Sequence, residues 1–424
     1  VIVLIFKLLG LYIMLYKSPF KVENTENIYS KLRNSNGVMV FGTGNLGNIV
    51  LAALKKAEIK VIKLVDNNKS RWGKIYNGFE VIAPKDLKKT NNEVPVLVAS
   101  DLTHPYIHRQ LRDLKITNVY DCDFIFSELN LTLEECNIYW SKEKVRQKVD
   151  AYMYDLIAQK NKKSKLNIKA VDLVLTEKCS LKCNGCSNLM QYYAKPVDED
   201  FEQCIKSIDK FLTTVDYVFE IRVLGGEPFM YKRIYEVIEH LYKYDNYGKL
   251  QINTNGTICP KPEKLKLFQN EKVFFDISNY GKLSRNIEKL ISELNRLNIR
   301  HSAQSVDKWQ DCGKIISTNR SVEENKEVFG NCCENQGLTI LHGSVYLCPF
   351  AANATNLKAI PYHSKEIIEL EKYDRAELKK LISDLYFETE FLEACKSCNG
   401  RDHNVGSIKA AVQLKEPVKY KVLS

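Results

Sequence analysis

Runs of four to eight apolar residues recur along the chain, most of them closed by glycine, asparagine or aspartate and followed by a stretch with helical spacing. A first series predicts strands at 38–41, 59–65, 80–82, 94–100 and 118–120, with helices from the glycine-rich turn through 57, at 86–89 and at 105–114. Strands alternating with helices predict a parallel, doubly wound sheet. Residues 131–165 are charged and read as helix and linker, a domain boundary. A second series begins at 170–175 and continues with strands at 217–224, 249–254, 272–278 and 299–305, separated by helices at 200–213, 231–244, 262–269 and 284–297. Repeated units of about 30 residues predict a partial parallel barrel of at least five strands, with its site at the C-terminal strand ends. Past 330 the pattern shortens to a hairpin, 338–341 against 345–347, turning at His342-Gly343. The expected fold class is therefore α/β: an apolar segment at 1–20, a doubly wound domain at 21–130, a helical linker at 131–165, a partial barrel at 166–320 and a C-terminal region at 321–424.

The apolar stretch 1–16 is broken by Lys7 and falls short of the roughly 20 residues that span a bilayer. It also lacks the basic start and small-residue cleavage site of a signal peptide. Two readings stay open, an amphipathic anchor and an over-extended start with the true beginning at Met14, and the second is favoured. No integral membrane span is expected. The net charge of +10 is spread over lysine-rich helices and loops, which favours a solvated basic surface over nucleic-acid binding and would still attract an anionic substrate. Eight of the 13 cysteines cluster at metal-ligand spacings, so a reducing cytoplasm is expected rather than disulfides.

Three of those thiols, Cys179, Cys183 and Cys186, stand at C-x3-C-x2-C spacing just after the strand 170–175. Three thiolates from one tight loop can hold three corners of a 4Fe-4S cluster and leave the fourth iron open. The strand around 221–224 ends in Gly225-Gly226-Glu227-Pro228. Two glycines let backbone approach a ligand closely, and Glu227 offers an anionic acceptor to an ammonium. A zinc knuckle would need four closed ligands, and a strand-end turn would explain only the glycines. Taken together, the two stretches resemble the radical SAM superfamily. That resemblance implies that Cys179, Cys183 and Cys186 bind the cluster and that S-adenosylmethionine (SAM) chelates the open iron. It implies that Gly225, Gly226 and Glu227 contact SAM, and by position that Asn253 and Ser278 meet its ribose and carboxylate. For the last two, turn chemistry is an equally good account.

Gly42, Gly44 and Gly47 form G-x-G-x-x-G after a strand, with Asp66 about 20 positions on. This unit resembles the N-terminal domain of nucleotide-sugar-modifying acyltransferases, which implies a nucleotide sugar in the loop. A retained Rossmann-like fold with an empty loop is the other reading. At the far end, Cys348, Cys395, Cys398 and one of Cys332 and Cys333 make four thiolates, suited to a closed iron-sulfur cluster or zinc. Their order resembles the SPASM extension of radical SAM enzymes, and the lack of cysteines after Cys398 fits its single-cluster Twitch form. One auxiliary 4Fe-4S cluster is implied, and spacing does not separate Cys332 from Cys333. Tyr192, Tyr193, Lys195, Arg222, Asp307, Trp309 and Cys312 are candidates to line the cavity, and Asn399 to His403 to reach it. Cys312 is either a hydrogen-atom donor or an inert packed thiol.

The expected function is a radical SAM enzyme, of oxidoreductase or isomerase/lyase type, acting on a small-molecule substrate. An activated, nucleotide-linked sugar of surface polysaccharide leads. Modification of a ribosomal peptide is the alternative, and a binding protein using its clusters as staples is a third reading. The resemblance also implies a low-potential electron donor such as flavodoxin or ferredoxin.

Overall fold

Val38–Phe41 is buried at every position, as a strand covered on both faces must be. It belongs to the first of two units in the computed structural model, Val1–Gln159 and Lys160–Ser424, which describes residues 13–17, 25–89, 93–100, 103–138, 142–401 and 405–422. The apolar residues 1–12, and Asp402 and His403, lie outside the described residues.

The first unit contains β1 (Ile13–Lys17), β2 (Val38–Phe41), β3 (Val61–Val65), β4 (Ile75–Tyr76), β5 (Phe79–Ile82), β6 (Val96–Val98), β7 (Val119–Asp121) and β8 (Glu128–Thr132). Six of these form a sheet in the order β4-β5-β3-β2-β6-β7, parallel throughout except for the short hairpin β4-β5. Counting the five parallel strands along the chain, the order is 3-2-1-4-5, so the winding reverses between β2 and β6. An apolar core lies on each face, one around Val40, Ile49 and Phe126 and the other around Phe41, Val98 and Leu111. β1 pairs antiparallel with β8, so residues 13–17 of the N-terminal apolar stretch are strand. The helix Lys142–Asn161 runs through the stretch expected as a linker, and its buried Val145, Val149, Tyr152 and Leu156 join the first core. Tyr152 donates its hydroxyl hydrogen to Val98 O and accepts from Cys122 N, both at 2.8 Å, which ties the helix to the ends of β6 and β7.

The second unit contains β9 (Asn167–Val174), β10 (Tyr217–Leu224), β11 (Tyr247–Thr254), β12 (Val273–Asn279), β13 (His301–Ser305), β14 (Lys308–Gln310), β15 (Gly337–Leu341), β16 (Ser344–Tyr346), β17 (Ile368–Glu369) and β18 (Ser407–Lys409). β9 to β13 lie side by side in chain order, all parallel, with helices between them. The helix Phe201–Thr214 shows how these crossovers are specified. Asp200 caps it by accepting from Gln203 N at 2.9 Å, and Cys204, Ile208, Phe211 and Leu212 put one apolar stripe on the sheet. The other edge of β9 takes β15, also parallel, and the hairpin β15-β16 continues to β17, making one eight-stranded sheet. The C-terminal region therefore extends the barrel's own sheet. Two further helices, Val322–Asn331 and Arg375–Glu388, begin at capping boxes, Ser321 with Glu324 and Asp374 with Glu377. Among the described residues no helix is long and apolar enough to cross a membrane.

Candidate active site

The loop after β9 and the loop after β10 are joined backbone to backbone. Gly226 N donates to Thr176 O at 2.8 Å and Glu227 N to Lys178 O at 2.9 Å. A side chain on either glycine would break this contact: a Cβ on Gly225 would stand 2.3 Å from Thr176 O, and one on Gly226 2.2 Å from Lys178 O and 2.7 Å from the Cys179 Cβ. The glycine pair thus lets the two loops touch.

Cys179, Cys183 and Cys186 line one cavity of about 530 Å3, together with Gly225, Gly226, Asn253 and Ser278. None of the thirteen cysteines is in a disulfide. Burial pushes the Cys179 thiol up to about 12 and Cys183 to about 11, and raises Cys186. Glu227 is placed differently from the other motif residues. It is fully buried, accepts from Thr254 Oγ1 at 2.8 Å and Asn255 N at 2.9 Å, and is not among the lining residues. Burial pushes its carboxyl up to about 7. In this geometry Glu227 ties the glycine loop to the end of β11.

Further polar groups gather around the cysteine loop and the cavity wall. Asn255 places Nδ2 3.7 Å from Cys179 Sγ and 3.2 Å from Ser180 Oγ. Gln413, 230 residues beyond Cys183, donates Nε2 to its sulfur at 3.1 Å, while its Oε1 accepts from Lys182 N at 2.9 Å. Backbone bonds Asn184 N to Val412 O and Leu414 N to Lys182 O, both 2.7 Å, strap the C-terminal tail across the cysteine loop. A charged network crosses the cavity wall. Asp172 on β9 and Arg222 on β10 are register partners, with Nε to Oδ1 at 2.5 Å, and Glu334 joins Arg222 at 3.4 Å to Arg401 at 2.7 Å. Burial pushes the Asp172 carboxyl up to about 6, and the surrounding carboxylates keep Arg222 charged.

Of the other expected lining residues, Arg222, Trp309, Cys312 and Arg401 line the cavity. Tyr192 and Tyr193 do not. Their hydroxyls are taken up inside the fold, Tyr192 accepting from Ile315 N at 3.3 Å and Tyr193 donating to Asn353 Oδ1 at 2.8 Å. Lys195 and Asp307 are exposed and lie outside it.

A second, smaller chamber is lined by Cys332, Cys348, Cys395 and Cys398 among apolar groups that include Phe329, Phe350 and Leu392. Cys312 faces both spaces. Cys333 lines neither, and its Sγ stands 3.8 Å from Glu334 Oε1. The chamber therefore separates two adjacent cysteines that spacing left equivalent. Cys348 and Cys398 already accept backbone N–H groups at 3.2 Å, from Ala351 and Gly400, as thiolate ligands commonly do.

In the first unit, Gly42 has φ +118, and a Cβ there would stand 2.6 Å from Ala99 O. On Gly47 it would stand 2.1 Å from Gly42 O, so helix and strand meet through these two positions. Gly44 caps the helix Asn45–Lys56 and has open space around it. Asp66 turns into the loop: its Oδ2 accepts from Thr43 N at 2.9 Å and from the Thr43 hydroxyl. Arg71 donates to Thr43 O at 2.8 Å, placing a half-buried cation at the same loop.

Residues 34–119 match the family model described as C2185-like, N-terminal, and residues 173–342 match that of the radical SAM superfamily. The second unit thus carries a radical SAM superfamily domain. Over 105 residues the chain is 27% identical to the GTP 3',8-cyclase of Aquifex aeolicus (strain VF5), covering 23% of this chain and 31% of that relative. Solved structures similar to it include BtrN in complex with AdoMet and 2-DOIA, at 13% identity, 60% of this chain, 98% of that one and TM-score 0.36. Another is SuiB of Streptococcus suis bound to S-adenosylmethionine, at 17% identity, 59% and 56% coverage and TM-score 0.27. At these values neither carries a substrate over to this chain.

Proposed function

We propose that this chain is a radical SAM enzyme whose active site is the cavity at the C-terminal ends of β9 to β12. The observation that carries the reading is the convergence of Cys179, Cys183 and Cys186, unpaired and on one loop, on a roomy cavity against the Gly225-Gly226 backbone. The donor set suits a 4Fe-4S cluster with one iron left to an outside ligand. When bound, cluster and SAM supply a one-electron reductive cleavage that yields a radical able to take hydrogen from an unactivated C–H bond.

The chain's own residues do the rest. Gly225, Gly226, Asn253, Asn255 and Ser278 offer backbone and amide groups to SAM. Arg222 and Arg401, each already bonded to a carboxylate, offer their remaining donors to an anionic substrate. Cys332, Cys348, Cys395 and Cys398 hold one auxiliary cluster, a reading supported by their common chamber. A nucleotide-linked sugar is the proposed substrate class, supported by the two arginines and by the glycine loop of the first unit with its Arg71. A flavodoxin or ferredoxin is the proposed electron source.

Electron paramagnetic resonance of the anaerobically reconstituted, dithionite-reduced protein tests the open iron. Adding SAM shifts the signal of the Cys179-Cys183-Cys186 cluster, and a signal indifferent to SAM would refute the reading. For the substrate class, thermal shift against uridine, guanosine and thymidine diphosphate sugars is expected to show stabilisation by at least one. No stabilisation by any would remove the sugar reading.

A further inference from the structure

His104 and His108 stand one turn apart on the helix His104–Asp113, on the same face, and both reach the end of β7. There His104 Nε2 is 2.8 Å from Asp121 Oδ1, His108 Nε2 is 2.8 Å from the same oxygen, and the two nitrogens are 3.1 Å apart. Hydrogen bonds satisfy only two edges of this triangle at once. If both imidazoles are protonated at Nε2 and donate to Asp121 Oδ1, the third edge holds two donor nitrogens 3.1 Å apart with no acceptor between them. If one is unprotonated there, its lone pair faces the carboxylate oxygen at 2.8 Å. A cation seated over the triangle gives both nitrogens and the carboxylate oxygen a common partner. Bonds of about 2.0–2.2 Å to nitrogen and oxygen give neighbouring ligands separations of about 3 Å, which are the edges seen here.

We propose that His104, His108 and Asp121 bind a divalent metal ion, two imidazoles and one carboxylate with open positions being a donor set that takes zinc or iron(II), and zinc is the probe. His104 Nδ1 makes no hydrogen bond among the described residues, and Asp155 Oδ2 lies 3.9 Å away, beyond hydrogen-bond reach. The His104 ring is held edge-to-face against Tyr152, 5.3 Å between centroids, the side chain that also fixes the ends of β6 and β7. The site is built into the fold yet reachable, because the His108 side chain is 26% exposed. It sits at the C-terminal ends of the parallel strands, the edge on which doubly wound sheets take their ligands, and three protein ligands leave positions for water or a ligand group. Neither SAM nor an iron-sulfur cluster enters this assignment.

The test uses the full chain with its iron-sulfur clusters reconstituted, incubated with zinc chloride and desalted. Mass spectrometry of the metals is expected to find about one zinc per chain, and the zinc X-ray absorption edge to show nitrogen and oxygen neighbours without sulfur. In H108Q and D121N, which keep size and shape, bound zinc falls at least tenfold while iron and sulfide stay unchanged. Wild-type protein without zinc, zinc retained equally in both variants, or zinc with sulfur neighbours would each overturn the assignment.

Discussion

At the residue scale, the glycine pair gives the sharpest prediction. Gly226→Ala forces a methyl to within 2.2 Å of Lys178 O, so either the Cys179 loop or the β10 loop must move. A cost on the order of 2–4 kcal/mol is expected, with loss of iron from the active site, read by thermal unfolding and iron content. A Gly226→Ala protein with full iron and unchanged stability would contradict the geometry. The adjacent cysteines separate as cleanly. Cys332→Ala is expected to lose about four irons per chain and Cys333→Ala none, because only Cys332 faces the chamber. His342 adds a pH dependence. Its bonds to Glu177 at 3.0 Å and Glu199 at 2.6 Å raise it from the ordinary 6.5 to about 10. A base whose folded value is raised contributes stability fully below about 6.5 and loses it as pH climbs through about 10. Melting temperature should therefore fall across that window in the wild type and fall less in His342→Gln, and parallel curves would refute the clamp.

At the element scale, most strands of both sheets were legible because they are short apolar runs ended by glycine or a polar residue; β4 and β17, two residues each, were too short to give one, and β13 has no buried position. β10 matches the expected 217–224 at both ends, and β12 was expected one residue early, at 272–278. The cysteine loop and the glycine loop were legible as motifs at strand ends. What could not be read is whatever depends on partners far apart in the chain: the Asp172-Arg222-Glu334-Arg401 network, the Gln413 strap, and the pairing of β15 with β9. His104-x3-His108 before the acidic end of β7 was a readable signal. One helical turn of histidines gains meaning only when the strand end beside it is known. The strap makes its own prediction. A hydrogen bond to a ligating sulfur favours the reduced cluster. Removing one worth about 1 kcal/mol, in Gln413→Ala, should lower the midpoint potential by about 40 mV. An unchanged potential in a redox titration would mean the contact with Cys183 is not made in the loaded protein.

At the scale of the whole molecule, two units carry distinct chemistry. The doubly wound unit offers a glycine loop with an arginine beside it and a histidine-aspartate triangle on the same edge of its sheet. The larger unit carries the radical SAM superfamily domain, and its C-terminal region completes the same sheet while gathering four thiols in a chamber next to the main cavity. Everything proposed for catalysis depends on the larger unit's cysteine loop leaving one coordination site to SAM. The measurement closest to that claim is the amount of 5'-deoxyadenosine released when the anaerobically reconstituted protein is mixed with SAM and dithionite. Release by the wild type and none by Cys183→Ala is the predicted result. A wild type that takes up its iron and still releases none would contradict the account.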